Sequence, residues 1–166
     1  MEIRISGVVS NSIVDGPGIR YTVFVQGCPH GCRGCHNPQT HDFAAGKTED
    51  TDRLFEAICE DPLLDGVTFS GGEPFCQAKA LAELGRKIKA QGLDIICYTG
   101  YDFEYLYENR EKNSYGDLLE VTDILIDGKF ILEKRSLELK FRGSSNQRII
   151  DVKKSLEAGR AVETEI

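Results

Sequence analysis

Three of the six cysteines, Cys28, Cys32 and Cys35, fall within eight residues of one another. Gly27, Gly31 and Gly34 surround them and let the backbone wrap, while Pro29 and Pro38 oppose helix, so the stretch reads as a loop folded round a metal centre. Several metals fit. Zinc would take Cys28, Cys32, Cys35 and His36, although adjacent Cys35 and His36 share one tetrahedron with difficulty and no second distant ligand pair follows. A ferredoxin-type cluster calls for a fourth cysteine, which does not follow at ferredoxin spacing. An iron–sulfur cluster with one iron left open for an exchangeable ligand fits the count better.

The elements that must position this loop follow from periodicity. Ile19–Val25 is β-branched and aromatic, and as a strand it delivers the chain into the loop. Thr51–Glu60 places Leu54, Phe55 and Ile58 on one helical face after a Thr/Asp start. Gly66–Ser70 is a short strand that ends in Gly71-Gly72-Glu73-Pro74. In Gln77–Ala90 the residues Leu81, Leu84 and Ile88 recur at helical spacing, and Gly92 marks the stop before a strand at Asp94–Tyr98. Two short helices are expected at Asp102–Asn109 and Tyr115–Glu120, a strand at Asp123–Ile126, final strands at Leu137–Phe141 and Arg148–Val152, and a terminal helical turn. Strand starts near residues 19, 66, 94 and 123 have the spacing of βαβ crossovers with a parallel sheet. Loops at the carboxyl ends of such strands converge on one rim. The cysteine loop, the Gly71–Pro74 turn, Thr99-Gly100 and Asp127-Gly128-Lys129 all follow strands directly.

The chain has 166 residues, about one domain and too few for an eight-unit (β/α) barrel of ~250 residues. An α/β fold built as an open, partial (β/α) barrel, with residues 1–166 as a single domain, is therefore the expected architecture. With 20 basic and 27 acidic side chains the formal charge is −7, which argues against nucleic-acid or anionic-membrane partners. No stretch approaches ~20 apolar residues, and Met1–Arg20 lacks the apolar run of a signal peptide. A cytoplasmic location follows, and its reducing conditions favour metal or redox roles for clustered thiols. Cys59, Cys97 and Cys76 read as packed small hydrophobes.

These motifs also carry a resemblance. Cys28-x3-Cys32-x2-Cys35 is the signature spacing of the radical S-adenosylmethionine enzymes, and Gly71-Gly72-Glu73-Pro74 resembles their second motif. Gly16-Pro17-Gly18-Ile19-Arg20, Phe24 and Gly27-Cys28 are similar to the lead-in of the glycyl-radical-enzyme activases. Tyr98-Thr99-Gly100-Tyr101, Asp123 to Phe130 and Phe141 to Ile149 resemble one branch of these, the activating proteins of anaerobic ribonucleoside-triphosphate reductase. The likeness runs from about residue 12 to residue 152.

The resemblance implies a mechanism and a site. Cys28, Cys32 and Cys35 would each bind one iron of a 4Fe-4S cluster, and S-adenosylmethionine would take the open iron through its amino and carboxylate groups. One-electron reduction, from a flavodoxin-type donor, would release methionine and a 5′-deoxyadenosyl radical that abstracts hydrogen from a glycine of the large reductase subunit. Gly71, Gly72 and Glu73 would meet the methionyl end, and Gly34, Cys35 and His36 would line the adenine side. The small chain leaves little material for a pocket of its own, which favours a protein substrate that brings its own cover. Three alternatives remain at this level: a radical enzyme acting on a small molecule, an activase for another glycyl-radical enzyme, and a zinc-stapled binding module.

Overall fold

A computed structural model describes residues 1–166. Seven strands form one sheet in the order β3-β1-β2-β4-β5-β6-β7. The four central strands, β2 (Arg20–Val25), β4 (Gly66–Gly71), β5 (Asp94–Tyr98) and β6 (Ile124–Asp127), run parallel, as their sequence spacing predicts. Helix α1 (Thr51–Cys59) lies in the connection from β2 to β4, and α2 (Ala78–Ala90) in that from β4 to β5. The short helices α3 (Phe103–Glu108) and α4 (Tyr115–Val121) precede β6.

Both flanks depart from the expected parallel sheet. On one side β1 (Glu2–Ser12) pairs antiparallel with β2 and carries β3 (Lys47–Asp50) on its outer edge. On the other, β7 (Arg148–Asp151) pairs antiparallel with β6 and leads into α5 (Val152–Ala158). The expected strand at Leu137–Phe141 does not form. That segment is irregular, pairs with no strand, and leaves Leu137 95% exposed.

Side-chain alternation splits the sheet into two unlike faces. Val23, Val25, Val67, Phe69, Ile95, Cys97 and Leu125 join the main core with Leu54 and Ile58 of α1, Leu81, Leu84 and Ile88 of α2, and Leu118 and Leu119 of α4. Truncating one of these, such as Leu84→Ala, costs about 2–5 kcal/mol by lost transfer energy and the cavity left behind. The opposite face carries a small apolar cluster of Ile96, Ile126 and Ile149, together with polar side chains. Arg20 is fully buried there, donating from Nε to Thr68 Oγ1 at 2.7 Å and from a terminal nitrogen to the Val67 carbonyl at 2.9 Å, and paired with Asp94. The lead-in motif that ends at Arg20 thus seals the amino end of the sheet. No helix is long and apolar enough to cross a membrane.

Candidate functional site

The site loops gather at the opposite, carboxyl end. Strand β2 ends at Val25 and feeds the cysteine loop, whose entrance is fixed by backbone bonds from Gly27 N to Thr40 O (2.7 Å) and from Cys28 N to His41 O (3.2 Å). Cys28, Cys32 and Cys35 are all half-buried. Burial pushes the Cys28 thiol above its usual value, and the negative charges of Glu73, Cys32 and Cys35 push it further, while the His30 amide donates to its sulfur and pulls the other way. The Asn37 amide approaches Cys35 Sγ at 3.4 Å. Peptide N–H groups aimed at sulfur are the kind of partner that tunes iron–sulfur ligands.

The donor set discriminates between metals. A single zinc ion needs its sulfurs converging ~2.3 Å from one point. No group of three His, Cys, Asp or Glu side chains converges in that way. In a cluster each thiolate takes its own iron, so three thiols spaced round one loop suit it better than they suit one ion. The His36 ring packs against Phe130 with centroids 5.1 Å apart.

The glycine turn abuts the loop directly. Gly72 N donates to Val25 O at 2.9 Å and Glu73 N to Gly27 O at 2.8 Å. A Cβ on Gly71 would lie 2.6 Å from the Val25 backbone, and one on Gly72 would overlap the Gly27 carbonyl. Gly71 also has φ +97°, a region that disfavours any side chain. The two glycines therefore let one strand end press against the next, a packing reason that holds whatever the turn binds. Beyond them Pro74 opens a 3-10 turn, Pro74–Gln77, that leads into α2.

Glu73 is neither solvated nor free. It is fully buried, and its carboxylate accepts from His30 Nε2 (2.6 Å), Thr99 Oγ1 (2.8 Å), Gly100 N (2.8 Å) and Phe75 N (2.9 Å). Four donors make it the hub that ties the cysteine loop, the glycine turn and the end of β5 together. Asp127, at the end of β6, is buried and held by Phe103 N and Arg148, whereas Lys129 is exposed. Gly128 N reaches Tyr101 O at 3.2 Å, so all four loops named from the sequence meet on one rim.

Other site residues are placed as follows. Gly34 faces Leu132 and Phe130, and Gly143 faces Phe130 and His36, so the segment after β6 lies over the cysteine loop. Within that segment Phe141 holds a left-handed backbone (φ 59°), and Tyr98 donates its hydroxyl to the Phe141 carbonyl at 2.7 Å. Cys97 is buried as expected, but Cys59 is exposed: it is the last residue of α1 and faces away from Leu54 and Ile58. Cys76 is also exposed as a residue, yet partial desolvation of its thiol first and the Glu73 charge second push that thiol up to about 11. Sequence reasoning missed His30, whose one visible signal was its position inside the cysteine run.

Comparison with known proteins gives the family. Residues 14–150 match the family described as the 4Fe-4S single cluster domain. The chain is 36% identical over 143 residues to the anaerobic ribonucleoside-triphosphate reductase-activating protein of Vibrio cholerae, covering 81% of this chain and 89% of that one. It is 35% identical to the protein of the same name from Escherichia coli K12, covering 81% and 90%. It is also 39% identical to the pyruvate formate-lyase-activating enzyme of Listeria monocytogenes, covering 89% of this chain but 61% of that one. The crystal structure of QueE from Escherichia coli shares the fold, with a TM-score of 0.51 and 20% identity over 60% of this chain and 53% of that one. The chain belongs to the 4Fe-4S single cluster domain family, together with these activating proteins.

Proposed function

We propose that this chain is the activating enzyme of an anaerobic ribonucleoside-triphosphate reductase, an oxidoreductase that places a glycyl radical on the large reductase subunit. The observation that carries this is the cysteine loop resting on the glycine turn at the carboxyl end of the parallel strands, in a chain whose relatives of matching length bear that name. Cys28, Cys32 and Cys35 would hold a 4Fe-4S cluster, each taking one iron and leaving the fourth for an exchangeable ligand. A cluster held there would supply the one electron for reductive cleavage of S-adenosylmethionine to methionine and a 5′-deoxyadenosyl radical, the species that would take hydrogen from the partner's glycine. The protein's part is to orient and to exclude solvent and oxygen. Gly71 and Gly72 present backbone to the methionyl end, and Glu73 serves by holding that turn in place. Gly34, Cys35 and His36 line the adenine side, with Phe130 backing the His36 ring. Residues 1–166 act as one domain, an open partial (β/α) barrel whose mouth the reductase subunit covers. A flavodoxin-type protein delivers the electron in the cytoplasm, and neither nucleic acid nor membrane takes part.

The pyruvate formate-lyase-activating relatives favour a second reading, in which another glycyl-radical enzyme is the partner. This chain spans 53% and 61% of their length against 89% and 90% for the reductase activators, which ranks that reading second. One experiment separates the two. Protein reconstituted without oxygen, reduced with dithionite and mixed with S-adenosylmethionine and the large reductase subunit gives a glycyl doublet in electron paramagnetic resonance. A silent reductase beside a radical on pyruvate formate-lyase would move the assignment to the second reading. Protein that carries zinc and no iron would end both.

A further inference from the structure

His30 stands between two of the three clustered cysteines, yet its side chain turns away from them toward the glycine turn. Its backbone follows Cys28 by two residues, while its ring, 6% exposed, places Nε2 2.6 Å from Glu73 Oε1. With Glu73 as the acceptor of two peptide N–H groups and the Thr99 hydroxyl, the matching role for Nε2 in this bond is donor. The ring edge meets Tyr101 at a centroid distance of 4.6 Å and an interplanar angle of 78°. The ring leaves no room for a side chain at Gly100, where a Cβ would come 2.7 Å from Nε2. Glu73, the acceptor, is itself fixed by Thr99, Gly100 and Phe75. The imidazole is thus held on three sides by residues of the glycine turn and the end of β5. By contrast, the amides of Gly31, Cys32, Arg33 and Gly34 donate to no backbone carbonyl.

We infer that His30 is a positioning residue that sets the cysteine run against the glycine turn, acting through its bond to Glu73 from a place two residues after Cys28. The inference rests on the cluster-and-S-adenosylmethionine reading above. Under that reading one ligand spans both parts, with one end at the open iron and the other at the turn. The two parts must then be held in register to a fraction of an ångström, since a displacement of about 1 Å can cost ~100-fold in rate. The Gly27–Glu73 backbone bond fixes where the loop begins. The His30–Glu73 bond fixes it again inside the run, after the first ligand.

The test compares wild type, His30→Ala and His30→Gln as anaerobically reconstituted full chains. Glutamine carries a donor near the position of Nε2, whereas alanine carries none. His30→Ala is expected to keep its iron, to cleave S-adenosylmethionine about 10- to 100-fold more slowly, and to lose most of the change that S-adenosylmethionine makes in the electron paramagnetic resonance spectrum of the reduced cluster. His30→Gln is expected to regain most of both. Before reconstitution, His30→Ala should show faster amide exchange over residues 71–76, a readout independent of activity. If alanine destabilises the chain too far, His30→Asn fills much of the same space with a donor too short for Glu73 and carries the same comparison. A His30→Ala protein matching wild type in spectrum, rate and exchange overturns the inference. So does one that loses its iron, since His30 would then serve loading rather than register. Wild type that binds no cluster or leaves S-adenosylmethionine intact instead defeats the functional reading, whatever the variants do.

Discussion

The cysteine loop and the glycine turn lie against each other but are built in opposite ways. The turn is over-determined: Glu73 satisfies four donors from three stretches of chain, Phe75 is buried behind it, and Gly71 and Gly72 leave no gap to β2. The loop is lightly held, with three half-buried thiols and backbone amides of Gly31 to Gly34 that find no carbonyl. A region that receives a metal draws its final order from that metal, because ligand binding and local folding are coupled. A region that receives the far end of a ligand has to be in place beforehand, because preorganisation reduces the cost of binding. The difference teaches where substitutions will act: chemistry and metal content in the loop, stability in the turn.

The strongest way to break this contrast is to remove a thiol. Cys28→Ala, Cys32→Ala or Cys35→Ala should leave the chain with far fewer than the roughly four irons of a full cluster and with cleavage of S-adenosylmethionine below about one hundredth of wild type. The cluster-free protein should melt within about 0.5 kcal/mol of its parent, as partly exposed positions do. Iron analysis, a cleavage assay and a thermal melt check the three parts, and a large loss of stability would show that the loop is not the soft region. Glu73→Ala should do the reverse to the cluster-free protein. Taking away the acceptor strands buried donors, one of them His30, at roughly 3 kcal/mol or more. For a chain of this size that lowers the melting midpoint by roughly 6–12 °C. A shift of a degree or two would mean that the turn is not preorganised by its carboxylate.

What could be read from the sequence divides along a similar line. The four parallel strands, α1, α2 and the convergence of four loops were legible, because periodicity and turn residues act locally. Strand β1 was not: its run Ile3, Ile5, Val8, Val9 is interrupted by Gly7, and its pairing shows register shifts after Ile5 and after Val9. Strand β3 was hidden because Lys47, Thr48, Glu49 and Asp50 carry no apolar pattern, and only the edge of β1 makes them extended. Leu137–Phe141 had the composition of a strand and lacked a partner. At the site, the cysteines and glycines announced themselves by spacing. The depth of Glu73 and the bond from His30 did not, since a contact across 43 residues leaves no local trace.

Gly72→Ala sharpens the contrast at an intermediate size. The new methyl would overlap the Gly27 carbonyl, which is backbone and cannot rotate away. A cost of about 1–3 kcal/mol in a denaturant melt is expected from overpacking, with iron binding impaired only in so far as Gly27 is pushed aside. Metal removal tests the same idea without a mutation. Chelating the iron from loaded protein should raise amide exchange across residues 28–37 and leave residues 71–76 near their loaded rates. Equal loosening of both segments would erase the distinction.

The smallest expected effect is a pH dependence of the turn's surroundings in cluster-free protein. Cys76 and Cys97 both have thiols raised above the usual 9.0, by desolvation first, partial for Cys76 and complete for Cys97, and by the Glu73 charge second, with Cys76 at about 11. A folded-state value above the unfolded one means that the fold retains the proton more tightly. The associated stability is therefore fully present below pH 9.0 and is lost as pH rises toward 11 for Cys76. Urea midpoints should stay flat from pH 7 to about 9 and then fall. Glu73→Gln should reduce the drop by removing the charge that adds to the thiol shift, leaving the larger part that burial contributes. A midpoint that rises through this window would reverse the sign and place those thiolates in a stabilising environment.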